Sequence, residues 1–173
     1  MNLETDRLIL RRWAETDAES LYEYAKDPAV GPIAGWPPHK SIDASLEIIR
    51  NVFTGEQCYA ICEKENGKAI GAIELKLKGH TDMTDREDEC ELGYWLDKKY
   101  VGKGYMTECA NAIIQFAKNE LNMKSINAFV ITEHKRSILL LERLGFVRMQ
   151  LLENDTENKG KQANRYWYKL QLQ

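Results

Sequence analysis

"CELGYWLDKKYVGKGYMTECANAIIQFA", residues 90–117, changes its period in the middle. Cys90 to Leu96 reads as a strand, and the segment that follows carries Met106, Ala110, Ile113, Ile114, Ala117 and Leu121 on one face of a helix. Between the two lie Gly102, Lys103 and Gly104. A helix start leaves backbone N–H groups unpaired and gathers partial positive charge, so it attracts an anion, most commonly a phosphate. The two glycines remove the Cβ atoms that would hold such an anion off, and Lys103 adds charge. A tight strand-to-helix turn with no ligand is the other reading of the same letters.

Working outward toward the N-terminus, "CYAICEK" and "AIGAIELKL" read as strands, and Asn66-Gly67 between them is a turn signal that makes the pair a hairpin. "GHTDMTDREDE", which follows, is too polar and acidic to be buried and reads as an exposed loop. Ile42, Leu46, Ile49 and Phe53 recur at helical spacing from a Ser41 cap to Gly55. All four prolines fall between Pro28 and Pro38 with Gly31, Gly35 and Trp36, which makes a loop. Trp36 there either lines a binding site or anchors the loop to the core. "TDRLILRRW", Thr5 to Trp13, alternates with a period of two, as a strand does. Thr16 and Glu19 then resemble a capping box for a helix carrying Ala18, Leu21, Tyr22 and Ala25 up to Asp27-Pro28.

Toward the C-terminus, "SINAFVIT" reads as an inner strand and Ser137 to Leu144 as a short helix closed by Gly145. Phe146 to Leu152 and Arg165 to Leu172 are two further strands. The order predicts one mixed α/β domain over residues 1–173, with no repeat and no linker.

A chain of 173 residues is of single-domain size. Lysine plus arginine number 24 against 27 acids, which disfavours a broad basic surface for nucleic acid. Cys58, Cys62, Cys90 and Cys109 include no C-x-x-C pair and read as buried thiols. His39 and His80 have no spaced partners that suggest a metal site, so no metal is expected. No export signal and no membrane-spanning run is evident, and the cytoplasm is the expected compartment.

The glycine loop fits neither common phosphate motif. A P-loop needs G-x-x-x-x-G-K-[ST], which "GKGYMT" does not supply. A dinucleotide fingerprint needs a third glycine where this chain has Thr107. "ELGYWLDKKYVGKGYMTE" followed by "SILLLERLGF" instead resembles the GNAT superfamily of acetyl-CoA-dependent N-acetyltransferases. "TDRLILRRW" resembles the start of its ribosomal-protein-alanine acetyltransferase branch, and the likeness runs from Thr5 to Phe146.

The resemblance implies a single domain with a mixed, largely antiparallel sheet of about six to seven strands, splayed in the middle and flanked by about four helices. It implies that acetyl-CoA is the cosubstrate, its pyrophosphate held by the loop Val101, Gly102, Lys103, Gly104, Tyr105, Met106 and Thr107. The family pattern Q/R-x-x-G-x-G/A is kept at Gly104 and departed from at Val101 and Met106. Tyr94, Trp95 and Leu96 are the stretch that would pair with the pantetheine arm and polarise the thioester carbonyl.

Acetyl transfer to an amine needs a base, an anion hole and an acid for the thiolate. By resemblance Glu91 is the candidate general base; the other reading is a solvent-facing charge on an alternating strand. The family's tyrosine acid falls on Leu141, which closes that route. Ser137, from an N-x-x-S element whose asparagine is here His134, is the candidate acid, or else a helix N-cap. By resemblance His134 and Ser137 also lie at the cofactor; His134 is either a pH-sensitive acid or base or a solvated loop residue. Trp36 and Glu91 would face the amine.

The function implied is acetyl transfer by direct attack to a primary amine, most like the α-amine of a ribosomal protein. A small-molecule amine such as a polyamine, antibiotic or amino acid is the alternative acceptor, and a non-catalytic acyl-CoA sensor the alternative of another class. Asp82, Asp85, Glu87, Asp88 and Glu89 could steer a cationic amine or simply form a solvated loop. No nucleic-acid or membrane partner is expected, and a homodimer is the base-rate oligomer.

Overall fold

The period-two alternation near the N-terminus is a strand because it puts Leu8 and Leu10 on one face, and both side chains are completely buried. The computed structural model describes residues 2–28, 37–81, 84–155 and 163–173. Its elements in chain order are β1 (Leu3–Glu4), β2 (Leu8–Arg12), a 3-10 turn (Glu15–Asp17), α1 (Ala18–Ala25), α2 (Ile42–Asn51), β3 (Cys58–Glu63), β4 (Ala69–Lys76) and β5 (Glu89–Leu96). A second 3-10 turn (Lys98–Tyr100) precedes α3 (Tyr105–Asn119), β6 (Ser125–Ile131), α4 (Lys135–Arg143), β7 (Val147–Asp155) and β8 (Ala163–Gln171).

The sheet has eight strands in the order β1-β2-β3-β4-β5-β6-β8-β7. It is mixed: β5 and β6 run parallel, whereas β1-β2, β2-β3, β3-β4, β6-β8 and β7-β8 are antiparallel. The sequence predicts seven strands and the eighth is β1, whose two residues are too short to show a period.

Two compact units divide the chain, Met1–Leu75 with Tyr94–Ile114, and Lys76–Gly93 with Gln115–Gln173. In the first, Ala18, Leu21 and Ala25 of α1 meet Ile49 of α2, with Trp13, Tyr24, Leu46, Phe53 and Trp95 closing around them. Ser41 caps α2 as expected, its Oγ accepting from the Ala44 N–H at 3.1 Å. The Asn66-Gly67 turn joins β3 and β4, with Gly67 at φ +70°. α1 starts differently from expectation, behind Asp17 and not Thr16. Asp17 ends the preceding 3-10 turn, its two oxygens gripped by the Arg11 guanidinium at 2.7 and 2.8 Å while it accepts the Ala14 N–H at 2.9 Å.

In the second unit, Ile126, Ala128 and Val130 of β6 are buried together with Leu141 of α4, Phe146 and Tyr168 of β8. α4 begins two residues earlier than the sequence suggests, and Gly145 ends it at φ +88°. Helix α3 buries Ala110, Ile113, Ile114 and Ala117 as predicted, adding Cys109 and Phe116, while Leu121 lies past its end. Among the described residues no helix is long and apolar enough to cross a membrane.

Candidate active site

Leading into α3, the chain leaves β5, makes its 3-10 turn and then passes through two glycines in the left-handed region, Gly102 at φ +88° and Gly104 at φ +80°. Side chains other than glycine adopt such angles at a cost, so the loop shape itself demands these residues. A Cβ at Gly102 would meet nothing within 4 Å, so the backbone there borders open space. The first helical bond of α3 runs from the Glu108 N–H to the Gly104 carbonyl at 3.0 Å. The N–H groups before it are the orphan donors of the helix start. Val101, Gly102, Lys103 and Gly104 are exposed, and Tyr105, Met106 and Thr107 are half-buried. Lys103 Nζ sits 4.9 Å from the Tyr100 ring centre and 5.8 Å from that of Tyr105. Exposed N–H donors, glycine clearance and a nearby ammonium together fit a pyrophosphate.

Behind this loop stands a network that the sequence does not announce. Arg7 Nε donates to Glu108 Oε2 at 2.8 Å, and Arg7 Nη1 donates to the Lys103 carbonyl at 3.0 Å. The Arg7 N–H donates to Glu108 Oε1 at 2.9 Å, and Thr5 Oγ1 donates to the same oxygen. Desolvation works to raise the Glu108 carboxyl, but the donors from Thr5 and Arg7 outweigh it and hold the group below the usual carboxylate range. Alternation around Arg7 signals a strand and nothing about Glu108, which lies 101 residues away.

Tyr94, Trp95 and Leu96 end β5 in the first unit. The Trp95 ring is committed to packing, stacked 4.3 Å from Tyr24 and 6.1 Å from Trp13. What Trp95 can offer a ligand is therefore backbone. Its carbonyl lies so close to β4 that a Cβ at Gly71 would come within 2.5 Å of it, so Gly71 is required for that approach.

Glu91, His134 and Ser137 belong to the second unit. Glu91 is not solvent-facing: its side chain is 13% exposed, accepting from Lys76 Nζ at 2.9 Å and from Thr81 Oγ1 at 2.6 Å. His134 is the N-cap of α4, half-buried and not a solvated loop residue. Burial first, and the Arg136 charge second, push its pKa down, so its neutral form is favoured. Ser137 is therefore not the N-cap; it is the third residue of α4, its N–H donating to the His134 carbonyl at 3.0 Å. Leu141 is fully buried in the core. Trp36 lies outside the described residues.

Of the acidic run, Asp82 lies outside the described residues, while Glu87, Asp88 and Glu89 are paired. Arg86 holds Asp88 at 2.8 and 2.9 Å, and Lys78 holds Glu87 at 3.2 Å. Glu89, expected in an exposed loop, instead opens β5 and accepts from Lys169 Nζ at 2.8 Å and Asn127 Nδ2 at 3.3 Å. All four cysteines are buried and outside any disulfide. Burial pushes the Cys62 thiol up to about 11 and those of Cys90 and Cys109 up to about 12, so none of these three is a thiolate nucleophile at neutral pH.

Comparison with known proteins agrees in one direction. Residues 7–147 match the family model described as Acetyltransferase (GNAT) domain. The chain is 40% identical over 161 residues, 84% of this chain and 78% of the relative, to the ribosomal protein uS5-alanine N-acetyltransferase of Escherichia coli. Among solved structures, a GNAT-family acetyltransferase from Bacillus anthracis superposes with a TM-score of 0.85 at 20% identity, covering 99% of this chain and 98% of the other. A spermidine N-acetyltransferase from Vibrio cholerae, in complex with CoA and spermine, superposes with a TM-score of 0.76 at 17% identity, covering 95% of each chain.

Proposed function

The chain belongs to the GNAT family of acetyltransferases, and from that premise we propose that it moves an acetyl group from acetyl-CoA to a primary amine by direct attack. The observation that carries this reading is the exposed, positive-φ glycine loop opening a helix of 15 residues beside Lys103. Acetyl-CoA supplies an activated thioester; the protein supplies binding, orientation and proton movement. The loop from Val101 to Thr107 would hold the pyrophosphate through backbone N–H groups. The Tyr94 to Leu96 backbone would orient the thioester.

An amine arrives mostly as an ammonium, since an α-amine has a pKa near 8 and lysine near 10.4. Glu91, already gripping the Lys76 ammonium, has the chemistry to accept a substrate ammonium in its place and take up its proton. Ser137, in the first turn of α4, is the proposed proton donor to the departing thiolate. The buried, protonated Cys62, Cys90 and Cys109 favour direct attack over a covalent acyl-enzyme at any of them.

For the acceptor, the α-amine of a ribosomal or other protein is the leading reading, supported by the 40% identity to the uS5-alanine enzyme. A small amine such as a polyamine is the second reading, supported by the shared fold of the spermidine enzyme. The proposed compartment is the cytoplasm.

The test is calorimetric titration with acetyl-CoA, with dephospho-CoA and NAD as controls, on the native protein and on Gly104→Asp. Saturable acetyl-CoA uptake, lost in the variant, is expected. A native protein that takes up none would refute the acetyltransferase reading.

A further inference from the structure

The N-terminal Thr5-Asp6-Arg7 segment has no part in the chemistry just described, yet it reaches the glycine loop. We propose that Thr5 and Arg7 form a clasp that presets this loop for an anion. Arg7 fixes the Lys103–Gly104 peptide and neutralises Glu108 at the mouth of α3. This inference rests on the acyl-CoA reading above.

The orienting role follows from peptide geometry. In a trans peptide the carbonyl and the next N–H point in opposite directions. Arg7 Nη1 holds the Lys103 carbonyl at 3.0 Å, so the Gly104 N–H is turned to the side away from Arg7. Glycine on both sides of Lys103 would otherwise leave that peptide free to rotate, because glycine offers little steric resistance. The guanidinium is itself fixed, by Glu108 at 2.6 and 2.8 Å and by lying 4.5 Å over the Tyr105 ring.

The neutralising role follows from charge. Glu108 sits in the first turn of α3, where a carboxylate complements the helix dipole but opposes an incoming phosphate. The donors from Thr5 and Arg7 turn that carboxylate backward and offset its charge. Arginine suits both tasks because its planar fork serves Glu108 and the Lys103 carbonyl at once, which a lysine point charge does not.

The test is calorimetric titration with CoA of the native protein, Arg7→Ala, Glu108→Gln and the double variant. Arg7→Ala is expected to weaken CoA about tenfold, because a loosened peptide and a bared carboxylate both act against the anion. Glu108→Gln alone should stay within about twofold, and the double variant should recover about threefold of the lost affinity. Recovery of CoA affinity without recovery of the thermal midpoint separates this role from a merely structural one.

Unchanged affinity in Arg7→Ala, or a double variant no tighter than the single, overturns the clasp. If the native protein takes up no CoA, the acyl-CoA reading falls instead. Should Arg7→Ala fail to fold, Arg7→Lys replaces it: binding several-fold weaker supports the clasp, and native binding overturns it.

Discussion

Glu108 and Glu91 are both largely shielded carboxylates, with side chains 18% and 13% exposed, and both face a cation. Their holders differ. Glu108 is gripped by the Arg7 guanidinium, the Arg7 N–H and the Thr5 hydroxyl, a rigid fork with several parallel donors. Glu91 is met by the Lys76 ammonium and the Thr81 hydroxyl, single donors on flexible or short stems. A forked, multiply bonded carboxylate is committed to structure. One held by an ammonium can exchange it for another ammonium, which is what an amine substrate brings. The contrast separates the proposed binding loop, built to stay still, from the proposed proton-handling carboxylate, able to trade partners.

The largest expected effect is in the still region. Gly104→Asp forces a Cβ onto a residue at φ +80° and adds a negative charge to the cradle, so CoA affinity should fall by about 100-fold or more in a calorimetric titration. A variant that binds like the native protein would show that the loop is only a turn.

Next comes the trading region. Glu91→Gln keeps the size and removes the proposed base, so turnover at neutral pH should fall about 100-fold while CoA affinity stays native. Full turnover in this variant would remove Glu91 from proton handling. If Glu91 receives the amine as proposed, Lys76→Met removes a competing ammonium, and the KM for the amine should drop about threefold with no change in CoA affinity. An unaltered KM would mean that Lys76 and substrate do not share Glu91.

These two regions were unequally legible in the sequence. The glycine loop could be read because helix starts and positive-φ turns are local, set by neighbours within a few residues. The hairpin at Asn66-Gly67 and the buried face of α3 were legible for the same reason. The clasp was not, since Arg7 and Glu108 are 101 residues apart and each looks like an ordinary surface charge. Glu89 misled in the opposite direction: it sits in an acidic run that reads as solvated, and only Lys169, 80 residues on, explains its shielding. α1 opens behind Asp17 and not Thr16, and the Asp17 side chain makes no cap bond to that helix but answers Arg11 and the Ala14 N–H instead. Local backbone chemistry is thus readable by eye, while ion pairs between distant segments depend on the fold.

The smallest expected effect tests the commitment of Glu108 through acid stability. Its pKa in the folded protein lies below the ordinary value of about 4.3, so the folded state binds fewer protons than the unfolded chain around that pH. The associated stability is fully present above the ordinary value and is lost as pH falls through the lowered one. Glu108→Gln removes this dependence, so its thermal midpoint should decline less steeply than the native one between about pH 5 and 3, by some 2 °C. His134 acts in a separate window. Its pKa is lowered by burial and by Arg136, so the unfolded chain takes up a proton near pH 6.5 that the folded chain refuses. Stability should therefore slip as pH drops below about 6.5, and His134→Asn should flatten that limb while leaving the lower one intact. If instead Glu108→Gln leaves the acid limb as steep as in the native protein, the Thr5 and Arg7 donors do not hold Glu108 in solution. Its contrast with Glu91 then dissolves, since both carboxylates would be equally free to trade partners.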